Sequence, residues 1–249
     1  MERVRQRRPP AFRFAEAIVR PIMAATTRQR WSGAEHLPEH GGFIVAPNHL
    51  SHIDPLVIAH FLVDQGYTPH FLGKIEVFNT PVVGSILRAA EQIPVHRGSG
   101  QAAGAYRAAV AAVEAGRCVV VYPEGTLTRD PQMWPMRGKT GAARIALQTG
   151  CPVVPVAHWG AQQILAPYSH RPHLVGRKVM AVRAGPAVDL AAFVGRAGTH
   201  EVLERATESI MTALTAQLEV LRGESAPPVR HDPRTRREPR PDPSPKETS

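Results

Sequence analysis

Apolar residues recur along this chain in two alternating rhythms. Short runs at residues 42–46, 70–73, 92–95, 117–122, 153–157 and 178–184 are continuously apolar or alternate in the manner of buried strands. Between them lie longer segments whose apolar positions fall three and four apart: 55–63, 81–90, the alanine-rich 101–115, 140–149 and 200–221. In the last of these, Val202, Ala206, Ile210, Leu214 and Leu218 recur every fourth residue. Pro55 stands in a first helical turn, where its missing N–H is no loss. Strands alternating with helices predict an α/β layered domain, with a mostly parallel or mixed central sheet flanked by helices.

The two ends of the chain follow other patterns. Residues 10–30 carry a helical stripe in which Phe14, Ile18 and Ile22 recur at every fourth position and Ala15, Val19 and Met23 widen it. Arg13, Arg20 and Arg28 lie toward its other side or its ends. Such a helix suits the interface of an anionic membrane, and it equally suits packing on its own domain. Residues 224–249 hold seven prolines and no aromatic residue, so they offer too little apolar area to offset the entropy of ordering, and disorder is expected there. The chain thus divides into a basic amphipathic segment (1–30), one domain (31–222) and a Pro/Arg-rich tail (223–249). It shows no repeat of 20–50 residues.

Charge sharpens this division. The formal net charge is +9, but residues 1–30 hold eight arginines against two glutamates, the tail is nearly balanced, and about +2 is left for the domain. A nucleic-acid-binding protein carries its positive charge on the folded domain, so this distribution argues against a nucleic-acid partner. Arginine outnumbers lysine 26 to 4, which we read as codon bias. Cys118 and Cys151 each lie in an apolar run and form neither a zinc pattern nor a disulfide framework; they read as buried thiols in a reducing compartment. No stretch reaches the roughly 18 apolar residues of a membrane span, and no apolar signal core follows the basic N-terminus. The expected location is the cytoplasm, peripheral on the inner face of the cell membrane.

Three strand ends carry candidate chemistry. Asn48-His49-Leu50-Ser51-His52-Ile53-Asp54-Pro55 follows the first domain strand. On a continuous helix His49 and Asp54 would point about 140° apart, but a turn between strand and helix removes that restriction. A carboxylate on one imidazole nitrogen fixes the tautomer and supports the imidazolium formed when the other nitrogen takes a proton. His52 is a second candidate imidazole. Taken alone, Ser51 or Asp54 as a helix cap explains the same residues. The second site is Pro123-Glu124-Gly125-Thr126, at the carboxyl end of the most apolar strand, where open α/β sheets place ligands. The third is Arg97, just past residues 93–95, where a guanidinium could clamp a phosphate. A base, a phosphate clamp and a closely approachable loop on one rim suit transfer chemistry on a phosphorylated alcohol.

In these residues the chain resembles the 1-acylglycerol-3-phosphate acyltransferase family, part of the wider glycerolipid acyltransferases. His49 and Asp54 match its His-x4-Asp block, Ile93-Pro94-Val95-His96-Arg97 its arginine block, Pro123-Glu124-Gly125-Thr126 its third block and Val153-Val154-Pro155-Val156 its fourth. Gly138-Lys139-Thr140-Gly141 resembles the Lys-x-Gly stretch between the last two. The resemblance spans about residues 30–220. It implies that His49 takes the proton of the acceptor hydroxyl as that oxygen attacks an acyl thioester, and that Asp54 orients His49. Arg97, Glu124, Gly125 and Thr126 would bind the acceptor, lysophosphatidate or a related lysophospholipid or glycerol phosphate. Coenzyme A or acyl carrier protein would leave as thiol, with no bound cofactor, metal or acyl-enzyme. Two departures stand out: Leu127 where arginine is common, and His96 where an acidic residue is common.

Other classes fit less well. Gly98-Ser99-Gly100 before a helix imitates a dinucleotide-binding turn, but its third glycine, Gly104, comes one residue late. A serine hydrolase would need a Gly-x-Ser-x-Gly elbow, which the sequence lacks. The alternative from a different class is a non-catalytic membrane-binding protein that uses the N-terminal helix; the intact His49 and Asp54 argue against it.

Overall fold

The computed structural model describes residues 8–95, 102–169, 171–195 and 199–233. In chain order its elements are α1 (Pro10–Thr26), β1 (Thr27–Ser32), β2 (Phe43–Pro47), α2 (Asp54–Asp64), β3 (Pro69–Lys74), α3 (Ile75–Phe78), α4 (Val83–Ala89), β4 (Ile93–Val95), α5 (Ala102–Glu114), β5 (Cys118–Val120), α6 (Gly141–Thr149), β6 (Val153–Trp159), α7 (Ala161–Ile164), β7 (Lys178–Ala184) and α8 (His200–Arg222). The strands form one sheet in the order β1-β7-β6-β2-β5-β3-β4. Every neighbouring pair is parallel except β6–β7. The mixed sheet flanked by helices is the architecture the alternation predicted.

The central strands are apolar throughout because both faces of the sheet are covered. In β2, Phe43 and Val45 join one core layer, with Val57, Ile58, Phe61 and Leu62 of α2. Ile44 and Ala46 point the other way, into a layer built from Ala109 and Val113 of α5, Ile145 of α6 and Ile210 of α8. The period-two alternation of the strand thus feeds two cores at once. Helix α8 is secured at both ends: the Thr199 side chain accepts from Val202 N, and Gly223 closes it in the left-handed region at φ 66°. Its expected stripe is real, with Ala206, Ile210, Leu214 and Leu218 fully buried.

Three features differ from expectation. The helix read over 10–30 ends at Thr26, and residues 27–32 pair in parallel with β7 as an edge strand. The segment boundary at residue 30 therefore falls inside a strand. An edge strand tolerates the outward Arg28 and Arg30 because one of its sides faces solvent. The stripe on α1 also divides: Met23 is buried and Val19 packs on the core, whereas Phe14, Ile18 and Ile22 are about half exposed. Arg8 and Arg20 are ion-paired, with Glu16 and with Asp64 respectively. Lastly, the expected disorder does not begin at Gly223. Residues 224–233 lie back along α8, where Arg230 bonds Glu208 and Thr212, Ala226 N bonds Glu219, and Arg137 bonds Asp232. The charged and polar groups interleaved with those prolines give the segment specific partners that an apolar count overlooks. The rest of the tail lies outside the described residues.

Candidate active site

Strand β2 leaves the sheet at Pro47, and α2 does not begin until Asp54. The intervening turn folds His49 back so that its Nδ1 lies 2.9 Å from Asp54 Oδ2. The same oxygen accepts the backbone N–H of Leu50 at 2.6 Å and of Ser51 at 2.8 Å. Burial alone would raise the Asp54 carboxyl, but the His158 and His49 imidazoles and their hydrogen bonds outweigh it and bring it down to about 2. Asp54 is therefore a carboxylate at neutral pH. With the Nδ1 proton directed at Asp54, Nε2 of His49 keeps its lone pair and can accept a proton. His52 is exposed, so of the two candidate imidazoles it is His49 that Asp54 holds. Ser51 is buried with its hydroxyl donated to Leu165 O at 2.6 Å, a structural contact that leaves it no place as a nucleophile.

The loop after β5 closes over this pair, because β5 lies beside β2 and parallel to it. The Tyr122 ring stacks on the His49 imidazole, with centroids 4.1 Å apart and planes inclined 26°. Glu124 is buried: Oε1 accepts His49 N at 3.1 Å, and Oε2 accepts Met136 N at 3.0 Å. Burial pushes its carboxyl up to about 8 against the pull of those two N–H groups. Both oxygens thus hold the protein's own backbone. Glu124 thereby ties the turn that carries His49 to the loop at Met136. Thr128 N donates to His49 O at 2.8 Å, a second tie between the two loops. Gly125 sits at φ 68°, a conformation that favours glycine, and the end of the Lys139 side chain lies close by, its Nζ 3.0 Å from where a Cβ would be. Thr126 is half-buried beside it. Leu127 is buried and its carbonyl accepts the Tyr168 hydroxyl, so this departure from the family pattern serves packing.

Arg97 and His96 lie outside the described residues. Strand β4, which leads to them, runs parallel to β3 and reaches the same rim as β2 and β5. Two strands separate it from β2, so the two strands lie roughly 14 Å apart in the sheet, at a strand spacing of about 4.8 Å.

Sequence reasoning missed two residues. Asn48 and His158 are both fully buried, and Asn48 bridges β2 to β6 through its side chain: Oδ1 accepts His158 N at 2.8 Å and Nδ2 donates to His158 O at 3.1 Å. The available signal was a lone histidine directly after the apolar run 153–157.

A family model described as Acyltransferase matches residues 28–159 of the chain. The span holds the His49–Asp54 turn, the Glu124 loop and all of β6, and the chain belongs to this acyltransferase family. Among its relatives is the 1-acyl-sn-glycerol-3-phosphate acyltransferase of Bacillus subtilis (strain 168), 26% identical over 149 residues, which are 60% of this chain and 71% of the relative. The protein of the same name from Borreliella burgdorferi is 30% identical over 128 residues, half of this chain and 48% of the relative. The chloroplastic enzyme BAT2 of Brassica napus is 30% identical over 135 residues, 53% of this chain and 38% of the relative. The crystal structure of PlsC, the 1-acyl-sn-glycerophosphate acyltransferase of Thermotoga maritima, shares the fold with a TM-score of 0.66 at 24% identity, covering 86% of this chain and 81% of that one.

Proposed function

We propose that this enzyme moves a fatty acyl group from an acyl thioester to the free hydroxyl of 1-acyl-glycerol-3-phosphate, giving phosphatidate. The observation that carries the reading is the His49–Asp54 contact of 2.9 Å with Nε2 left as the proton acceptor. His49 Nε2 takes the hydroxyl proton as the oxygen attacks the thioester carbonyl. The new C–O bond forms, the C–S bond breaks, and the proton passes from His49 to the departing thiolate. Asp54, ionised throughout, stabilises the intervening imidazolium. Arg97 and the exposed Lys139 above Gly125 are the cations proposed for the acceptor's phosphate, with the Gly125–Thr126 backbone approaching it closely. The names of the relatives support lysophosphatidate as acceptor, and the thiol carrier is coenzyme A or acyl carrier protein.

An apolar groove of about 180 Å³ supports a lipid substrate. It lies between α1, α2 and α4, walled by Phe12, Val19, Leu56, Ile86 and Leu87, and it begins immediately beyond Asp54 at Pro55. Beside it, α1 exposes Phe14, Ile18 and Ile22, while Val77, Val82 and Val83 are exposed around the start of α4. Among the described residues no helix is long and apolar enough to cross a membrane. We place the enzyme on the inner face of the cell membrane, docked through this apolar surface with the flanking arginines on anionic headgroups.

The test of the reaction is thiol release from an acyl thioester, with lysophosphatidate set against other lysophospholipids and glycerol 3-phosphate. Faster turnover of lysophosphatidate is the expected result; preference for another acceptor would overturn the substrate. The docking is tested by replacing Phe14, Ile18 and Ile22 together with serine. Burial of each such side chain is worth about 1.5–3 kcal/mol, so flotation with phosphatidylglycerol vesicles is expected to weaken at least about tenfold. These side chains lie off the core, so the fold should be kept. Unchanged flotation would remove α1 from the membrane contact.

A further inference from the structure

His158 lies behind the catalytic pair and belongs to none of the motifs. It is a fully buried imidazole in β6, a strand whose neighbouring Val153, Val154, Val156 and Ala157 are equally buried. A polar ring in such a wall persists only where its hydrogen bonds offset desolvation. Its Nε2 lies 2.9 Å from the backbone oxygen of Asn48. A carbonyl only accepts, so Nε2 carries a proton. The same Nε2 is 3.5 Å from Asp54 Oδ2, the oxygen that holds His49 Nδ1. The unused atoms on either side, His158 Nδ1 and Asp54 Oδ1, are buried and have no hydrogen-bond partner. The side-chain contacts between β6 and the catalytic turn include this N–H and the Asn48 carboxamide.

We propose that His158 is a positioning residue for acyl transfer: its Nε2–H holds the Asn48 carbonyl, which fixes the turn carrying His49, and leans on Asp54 Oδ2, which draws charge away from the carboxylate. The proposal rests on the reading of His49 as the base. A donor on the far side of Asp54 weakens the pull of the carboxylate on a protonated His49. The imidazole then gives its proton up to the departing thiolate more readily.

The other groups facing the pair stay constant when His158 is changed. In the turn itself these are His52 and the Leu50 and Ser51 amides. From the loop after β5 they are Tyr122, stacked on His49, Glu124 on its backbone N–H, and Asp130 and Lys139 farther out. Without the His158 donor, the Asp54 carboxylate keeps more of its charge and holds the His49 N–H more tightly.

The experiment follows the His49 ring by NMR in the full chain labelled at histidine, assigned by the signal lost in His49→Ala. It needs no substrate, so failure of the proposal is distinguishable from failure of the proposed acceptor or donor. In His158→Leu the His49 midpoint is expected to lie above that of the wild-type chain, because the carboxylate beside it has lost a donor. In His158→Gln, whose amide can again donate toward Asn48 O, it should return toward wild type. The turnover arm uses the thiol-release assay. There kcat should fall about tenfold in His158→Leu, the order of one hydrogen bond to a charged group, with the acid limb of the pH profile shifted upward and KM for the acceptor little changed. If the leucine chain does not fold, His158→Asn, too short to reach Asn48 O, takes its place with the same expectation. An unmoved His49 midpoint in the folded leucine or asparagine chain would overturn the proposal, as would an activity loss that glutamine fails to restore.

Discussion

Replacing His49 with alanine is expected to lower kcat for acyl transfer by about 10³-fold, within the range a positioned general base contributes, while the protein stays folded. The contacts that fix the turn do not depend on the imidazole. Asp54 Oδ2 keeps the Leu50 and Ser51 amides, and the His49 backbone keeps its bonds to Glu124 and Thr128. The ring is mostly covered and stacks on Tyr122, but it bonds no backbone group, so its removal orphans none. Base function and fold are therefore separable at this residue, which is not so at Asp54 or Glu124. Single-turnover thiol release, paired with a thermal melt by circular dichroism, checks the outcome. Activity within tenfold of wild type would exclude His49 as the base. A melting temperature far below wild type would show that the imidazole holds the turn after all.

The separation also explains which parts of the molecule were legible in the sequence. The strands β2, β5 and β6 are apolar on both faces and bounded by turn residues, so their existence and a mostly parallel or mixed sheet follow from pattern. The His-x4-Asp spacing is legible as a motif, but its geometry is not. A helix would have set the two side chains apart, and only the delay of α2 until Asp54 brings them to 2.9 Å. Strand β1 was hidden because Thr27-Arg28-Gln29-Arg30-Trp31-Ser32 is polar, as an edge strand can be, and because it follows a helix without a break. That Glu124 also ties two loops together is not legible, because Met136 reaches it only through the folded path of the loop between. His158 was passed over because the apolar run before it ends one residue short, and nothing local records that β6 lies beside β2. In each case the missing information was a contact across the sheet or a loop.

Glu124 is where the cost of that closure is concentrated, and its removal should be strongly destabilising. Glu124→Ala leaves the His49 and Met136 amides buried without acceptors. At about 1–3 kcal/mol for each unsatisfied group, the loss is roughly 2–6 kcal/mol, a large share of the 5–15 kcal/mol typical of a whole domain. Activity should fall with it, because the His49 backbone loses its anchor. The carboxyl also gives stability a recognisable pH dependence. Its folded value is raised to about 8 from an ordinary 4.5. Between those values the folded chain keeps a proton that the unfolded chain has released. The contribution is then fully present below about pH 4.5, declines as pH rises, and is lost above about 8. Glu124→Gln has no proton to lose and retains one acceptor oxygen, so it should be less stable than wild type at pH 5 and should approach it by pH 8.5. Buried His60 and His70, which burial holds below their usual values, tilt stability the other way as pH rises, but they do so equally in both chains and cancel in the difference. Urea midpoints of the two proteins at pH 5 and pH 8.5 measure that difference. A gap that stays constant with pH would show that Glu124 is ionised in the folded protein, held there by its two amide donors against the burial that opposes its charge.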